Sequence, residues 1–357
     1  MITIVLGTRP EIIKIAPIIR YCSKRGIPHI LIHSGQHYSH DMDRQFFMEL
    51  GLPEPDINLR TGSGTPAEQT GKILVGMERE LKHLTPDIVL VEGDTTTVLA
   101  SALAAAKLNI RIGHVEAGLR SWDRRMPEEI NRILTDHLST ELFAPTPHAR
   151  NNLLREGISQ DHIHVTGNTI VDAIADNLPL ARQYSQILSD LNLASKGYAL
   201  LTAHRQENVD TPEHLEGILT GMKQIHDRFG LRVIFPIHPR TRKMMQKYGI
   251  QPKGIELINP VGFHDFLLLE ASAGIVCTDS GGVQEETCIL GVPCITLREQ
   301  TERPETLEIG SNILAGTDPA RIIEAASMMI DCQRSWVHPF GDGKAAERIV
   351  RTCESYP

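Results

Sequence analysis

Short apolar runs rich in Val, Ile and Leu alternate with longer stretches of helical periodicity along the whole chain, and few folds accept that rhythm. Strands are expected at Ile2–Leu6, His29–His33, Ile88–Val91, Arg111–Val115, Leu142–Ala144 and Ile163–Val165. Helices are expected between them at Glu11–Arg25, Pro66–Leu84, Thr96–Leu108, Glu128–His137 and Pro147–Glu156. Thr65-Pro66 and Thr146-Pro147 each put a hydroxyl before a first-turn proline, a clear helix start. Continuous apolar strands joined by helices form a parallel sheet covered on both faces.

The alternation restarts after Gly167. Strands at Tyr198–Thr202, Val233–Ile237, Ile255–Ile258, Gly274–Thr278 and Cys294–Leu297 are separated by helices near Pro212–Phe229, Arg240–Tyr248, Phe263–Ala271 and Val283–Leu290. The expected class is α/β, with two Rossmann-like doubly wound domains, residues 1–170 and 171–338, and an interdomain cleft at the carboxyl ends of both sheets. The linker is expected within Gly167–Ser195, and a last helix at Gly343–Ser355.

A length of 357 residues agrees with two domains, and 41% hydrophobic with 22% charged residues is the make-up of a soluble globular protein. The net charge of -8 and the lack of a basic tract argue against nucleic acid as a partner. An anionic ligand then needs a local cationic pocket. No apolar run approaches the roughly 20 residues of a membrane span. The first residues, MITIVLGTRPEIIK, read as a strand and turn rather than a leader. Six cysteines without a CxxC pair fit free thiols in a reducing cytoplasm, and no HExxH-like spacing points to a metal.

Charged or glycine-containing turns follow the strands, where open α/β sheets bind their ligands. Gly7-Thr8-Arg9-Pro10-Glu11-Ile12-Ile13-Lys14 offers backbone N–H groups and a positive dipole end to an anion. It is neither a GxGxxG fingerprint nor a Walker sequence. Arg9 suits a forked contact to phosphate. Lys14 is divided between ligand contact and an exposed pair with Glu11 worth about 0.2–0.5 kcal/mol. Asp94, in Glu92-Gly93-Asp94, reads alone as a helix cap. Beside Glu116, at the end of Arg111–Val115, it makes a paired acid site in which each carboxylate raises the other's pKa.

Pro127-Glu128-Glu129 puts proline and negative charge where a helix start favours both, so Glu128 has a structural reading beside that of a site residue. His204 leaves the first strand of the second domain. His238 follows another strand, where it contacts a phosphate or caps a turn. Asp279-Ser280-Gly281-Gly282 is the strongest anion signal: Ser280 offers a hydroxyl, and Gly281 and Gly282 admit a ligand close to a helix start. Glu286, one turn on, can accept from ribose hydroxyls. Arg303 lies in a charged run that is either a second cationic contact or a solvated face.

GTRPEIIK, GQHY, EGDTTT, HVEAGLRS, MPEEINR, AHRQEN, DSGGVQEE and TERPE together resemble the non-hydrolysing UDP-N-acetylglucosamine 2-epimerases, in order and over essentially the whole chain. The style is similar to archaeal members. HPRT stands where many bacterial members have a histidine followed by Asn-Pro, and the residues after GQHY also depart from the bacterial pattern. The resemblance implies a glycosyltransferase-B-like (GT-B) fold and a homodimer formed through the first domain. It also implies that residues 339–357 carry a helix packing back on the amino-terminal domain. The implied catalytic set is Asp94, Glu116, Glu128 and His204. Arg9, Lys14, His238, Ser280, Gly281, Gly282, Glu286 and Arg303 match positions around the nucleotide and diphosphate. In bacterial relatives a second substrate molecule acts as activator near the positions of Gln36, His37 and Arg205.

The implied reaction inverts C2 of a UDP-sugar without a cofactor. Departure of UDP from C1 acidifies the C2 proton, and a base removes it to leave a 2-acetamidoglucal. Protonation from the other face and re-addition of UDP give the manno epimer. The rival readings are an epimerase of a UDP-2,3-diacetamido-uronic acid, a GT-B glycosyltransferase and a UDP-sugar sensor without chemistry. A transferase needs an acceptor pocket where this chain clusters carboxylates.

Overall fold

The first apolar run, Ile2–Leu6, is buried along its whole length, as a strand must be when it is paired on both edges and covered on both faces. The structure is a computed structural model and describes residues 1–35 and 46–355. The chain divides into two units, residues 1–175 with 340–357, and residues 176–339.

The first unit holds seven parallel strands: β1 (Ile2–Leu6), β2 (His29–His33), β3 (Ile57–Asn58), β4 (Ile88–Glu92), β5 (Arg111–Val115), β6 (Glu141–Ala144) and β7 (Ile163–Val165). Their order is β3-β2-β1-β4-β5-β6-β7. The second unit holds β8 (Tyr198–Thr202), β9 (Arg232–Pro236), β10 (Glu256–Ile258), β11 (Ile275–Thr278), β12 (Cys294–Thr296) and β13 (Asn312–Leu314), ordered β10-β9-β8-β11-β12-β13. Each unit is a Rossmann-like doubly wound domain with its own buried core. The winding reverses once in each sheet, between β1 and β4 and between β8 and β11. Turns leaving the carboxyl ends of strands at such a point part company and open a crevice. The glycine-containing and charged turns singled out in the sequence leave these strands: Gly7–Lys14 after β1, Glu92–Asp94 at β4, His204 after β8 and Asp279–Gly282 after β11.

Several elements differ from expectation. Gly167–Ser195 carries a helix, Thr169–Tyr184, which runs through the boundary between the units. The two-residue strand β3 is too short to carry a pattern, and β13 and the helix Pro319–Met329 were likewise not expected. The last helix, Ala345–Glu354, belongs to the first unit. Its start is capped by Asp172, which accepts from the N–H groups of Ala345 at 3.3 Å and Ala346 at 3.0 Å. Among the described residues no helix is long and apolar enough to cross a membrane.

Candidate active site

Glu116 leaves β5 with φ of 70°, a left-handed conformation that strains a residue bearing a Cβ. Its Oε2 lies 3.8 Å from where a Cβ on Gly93 would stand, so the carboxylate sits over the turn at the end of β4. There it forms an ion pair with Lys14. Lys14 Nζ also stands 3.7 Å from Glu92 Oε1, and all three side chains are buried. Burial pushes the Glu92 carboxyl well above the ordinary range; Lys14 opposes the shift, and Glu116, Glu11 and Asp94 add to it.

The exposed Glu11–Lys14 pair considered from sequence is not formed, because both residues are buried and face different partners. Glu11 accepts from the N–H groups of Gly7 and Thr8, the latter at 3.0 Å, and from Thr95 Oγ1 at 2.5 Å. This carboxylate therefore occupies N–H groups that the sequence offers to an external anion. Burial raises the Glu11 pKa to about 7 against these hydrogen bonds. The Arg9 guanidinium lies 4.9 Å from the centre of the Phe46 ring.

Thr95, not Asp94, caps the helix Thr96–Lys107, its Oγ1 accepting from Val98 N–H at 3.4 Å. Asp94 instead pairs with Arg132, and its carbonyl accepts from Asn131 Nδ2 at 2.8 Å. Arg132 also donates to Glu129 at 2.8 Å. Glu129 is wholly buried and accepts from the Ser121 N–H, the Ser121 hydroxyl and the Trp122 N–H at 2.9–3.0 Å. Glu128 is partly exposed, and among the described residues no hydrogen bond or ion pair occupies it.

A buried network underlies this wall. The His114 ring nitrogens lie 2.6 Å from Asp136 Oδ1 and 2.8 Å from the Gly93 carbonyl. Arg120 joins Asp136 at 2.7 Å to Glu156. Burial alone would raise the Asp136 carboxyl, but His114 and Arg120 hold it below its usual value.

In the second unit, Asp279 organises the loop after β8. It accepts from the N–H groups of His204 and Arg205, each at 2.9 Å, and lies 3.1 Å from His204 Nδ1. Burial would raise this carboxyl, yet these contacts hold it low. His204 is thus held in place by Asp279 through both its N–H and its ring. Its ring centre is 5.7 Å from that of His238, which caps the helix Pro239–Tyr248 through Nδ1. Arg205 donates to the Asp279 carbonyl at 3.0 Å and reaches Glu302 at 3.4 Å.

Ser280 is the N-cap of the helix Gly281–Leu290 and makes no side-chain cap hydrogen bond. A Cβ on Gly281 would meet the Arg303 guanidinium at 3.1 Å, whereas one on Gly282 would find only Ser280 Oγ at 3.9 Å. Arg303 is not on a solvated face: it is buried, 3.0 Å from Glu285 and 3.4 Å from Glu302, and props this turn from beneath. Glu286 abuts Glu270, whose carboxyl is pushed well above its usual range by burial and then by Glu286. Gln36 and His37 lie outside the described residues. Among the described residues no three His, Cys, Asp or Glu side chains converge as a metal site.

A profile of the family described as "UDP-N-acetylglucosamine 2-epimerase" matches residues 20–354. The UDP-N-acetylglucosamine 2-epimerase of Methanocaldococcus jannaschii is 54% identical over 357 residues, covering 98% of each chain. The chain belongs to the UDP-N-acetylglucosamine 2-epimerase family. A second archaeal family member, from Methanococcus maripaludis, is 52% identical over 98% of this chain and 97% of its own. The crystal structure of the M. jannaschii epimerase in complex with UDP-GlcNAc and UDP superposes with a TM-score of 0.94 at 53% identity, covering 99% of each chain.

Within this epimerase-family chain, the first unit brings Lys14, Glu92, Asp94 and Glu116 to neighbouring strand ends, and the second brings His204, His238 and Ser280 to theirs. Sequence reasoning missed Glu92, Glu129 and Asp279 as organising residues. All three stood inside motifs already marked, and two are carboxylates at strand ends. What was lacking was which neighbour each would bind.

Proposed function

We propose that this protein is a UDP-N-acetylglucosamine 2-epimerase that interconverts UDP-GlcNAc and UDP-ManNAc through elimination and re-addition of UDP. The observation that carries the reading is the cluster of carboxylates at the strand ends of the first unit: Glu92 and Glu116, both buried, flank Lys14, and Asp94, held by Arg132, acts electrostatically on Glu92. The C1–O bond breaks with its electrons leaving on UDP, and a carboxylate takes the C2 proton as the C1–C2 double bond forms. Return of a proton to the opposite face, with attack of UDP oxygen on C1, gives the epimer. Two faces need two acid–base positions, and Asp94, Glu116 and Glu128 divide these roles with His204. The Ser280 hydroxyl, which makes no cap hydrogen bond, and the open space at Gly282 support a diphosphate site at the start of the helix Gly281–Leu290, with Arg9, Lys14, His238, Gly281, Glu286 and Arg303 around the nucleotide.

The protein acts as a homodimer in the cytoplasm. Ile130 and Leu134, on one face of the helix Pro127–Leu138, are 45% and 47% exposed, which supports a partner on the first unit. Free cysteines support a reducing compartment.

Incubation with a panel of UDP-sugars in deuterated water, read by NMR, tests the reaction. The expected products are both UDP-HexNAc epimers carrying deuterium at C2. Epimer without deuterium would overturn the elimination route. Turnover of a UDP-2,3-diacetamido-uronic acid alone would move the substrate to that class, and binding without turnover would make the protein a sensor.

A further inference from the structure

Glu92 is the last residue of β4, and its partner across the sheet is Val115, the residue before Glu116. That register sets two carboxylates on adjacent strand ends. Lys14, from the helix Arg9–Arg25, enters between them, paired with Glu116 on one side and 3.7 Å from Glu92 on the other. An ammonium on a four-carbon stem keeps much of its rotamer freedom when a single partner holds it. Two buried partners remove that freedom.

We propose that Glu92 is a positioning residue, which fixes the Lys14 ammonium against Glu116 so that Lys14 serves the carboxylate site. The inference rests on the reading of Glu116 as a member of the catalytic set. The groups facing Glu92 are Glu11 and Lys14 from the first helix, Asp94 from its own turn and Glu116 from the end of β5. Three of these four are acids, and burial adds to their effect in favouring the neutral form of Glu92. Glu92 Oε1 makes no hydrogen bond among the described residues, so Glu92 confines Lys14 by close packing, which a neutral amide of the same shape preserves.

The test compares Glu92→Ala, Glu92→Gln, Lys14→Met and the double variant Lys14→Met with Glu92→Ala, by thermal unfolding and by kcat and KM for UDP-GlcNAc. Glu92→Ala is expected to lower kcat about tenfold or more, with KM changed by less than about threefold. Glu92→Gln recovers most of that loss. In the Lys14→Met background the alanine costs less than about twofold, because its effect runs through the lysine. Wild-type kcat in Glu92→Ala overturns the proposal, as does a loss that persists undiminished without Lys14 or that glutamine fails to relieve. If Glu92→Ala does not fold, Glu92→Met takes its place in the cycle. A wild-type protein that epimerises no UDP-sugar counts against the proposed reaction, whereas an epimerase indifferent to residue 92 counts against this inference alone.

Discussion

Glu128 and Glu129 are neighbours with the same charge in the same helical turn, yet the structure uses them in opposite ways. Glu129 gathers the Ser121 and Trp122 N–H groups, the Ser121 hydroxyl and Arg132, and so ties the loop after β5 to the helix that follows. Removing it takes the acceptor from the Ser121 and Trp122 N–H groups and one of the acceptors from the buried Arg132 guanidinium, which keeps Asp94. Glu129→Ala is expected to cost about 2–6 kcal/mol, from two buried N–H groups left at about 1–3 kcal/mol each, read as a large fall in the unfolding midpoint. Glu128→Gln leaves that network untouched, so the midpoint stays within about one degree of wild type. If Glu128 takes part in proton transfer, kcat falls at least about a hundredfold. Near-normal turnover would return Glu128 to the role of a helix-start charge. Sequence alone could not separate the two, since first-turn position favours negative charge at either and only burial distinguishes them.

At the level of elements, the helix Arg9–Arg25 begins with a capping box, Thr8-x-x-Glu11, where the sequence reading offers only an exposed Glu11–Lys14 pair. The other oxygen of Glu11 receives the Thr95 hydroxyl, and that bond was not legible. It exists because β1 pairs with β4, and strand order is absent from periodicity. The same limit applies to His204, whose position after β8 was readable while its hold by Asp279 after β11 needed the pairing of those strands. The strand-and-helix rhythm itself was legible because long apolar runs admit few alternatives. Glu11 also carries a pH signature. Its folded-state pKa, about 7, lies above the 4.5 of the unconstrained carboxyl because burial disfavours its charge. The stability attached to this group is complete below pH 4.5 and is lost as the pH rises through 7. Ionising it costs on the order of 3 kcal/mol. Glu11→Gln keeps an acceptor for Gly7 and Thr8 but cannot ionise. Thermal scans between pH 5 and pH 8 are expected to show a smaller loss of midpoint in the variant than in wild type. Equal losses would remove Glu11 as the source.

At the level of the whole molecule, the chain leaves the first unit at residue 175 and returns to it at residue 340. The first unit is therefore incomplete until its last segment is in place. The helix Ala345–Glu354 buries Ala346, Ile349, Val350 and Cys353, and Asp172 caps it from another part of the same unit. Burying Ile349 and Val350 alone contributes about 1.5–3 kcal/mol each, a large share of a domain stability of about 5–15 kcal/mol. Deleting residues 344–357 should therefore damage the first unit selectively. The chain's two tryptophans make this measurable, because Trp122 lies in the first unit and Trp336 in the second, its indole donating to the Cys288 carbonyl at 2.9 Å. In a Trp122→Phe background, Trp336 fluorescence reports the second unit alone. The deletion is expected to remove an early part of the denaturant-induced change in far-UV circular dichroism while the Trp336 transition stays cooperative. If both signals instead shift together by the same amount, the last helix stabilises the chain as one block rather than completing one of its units.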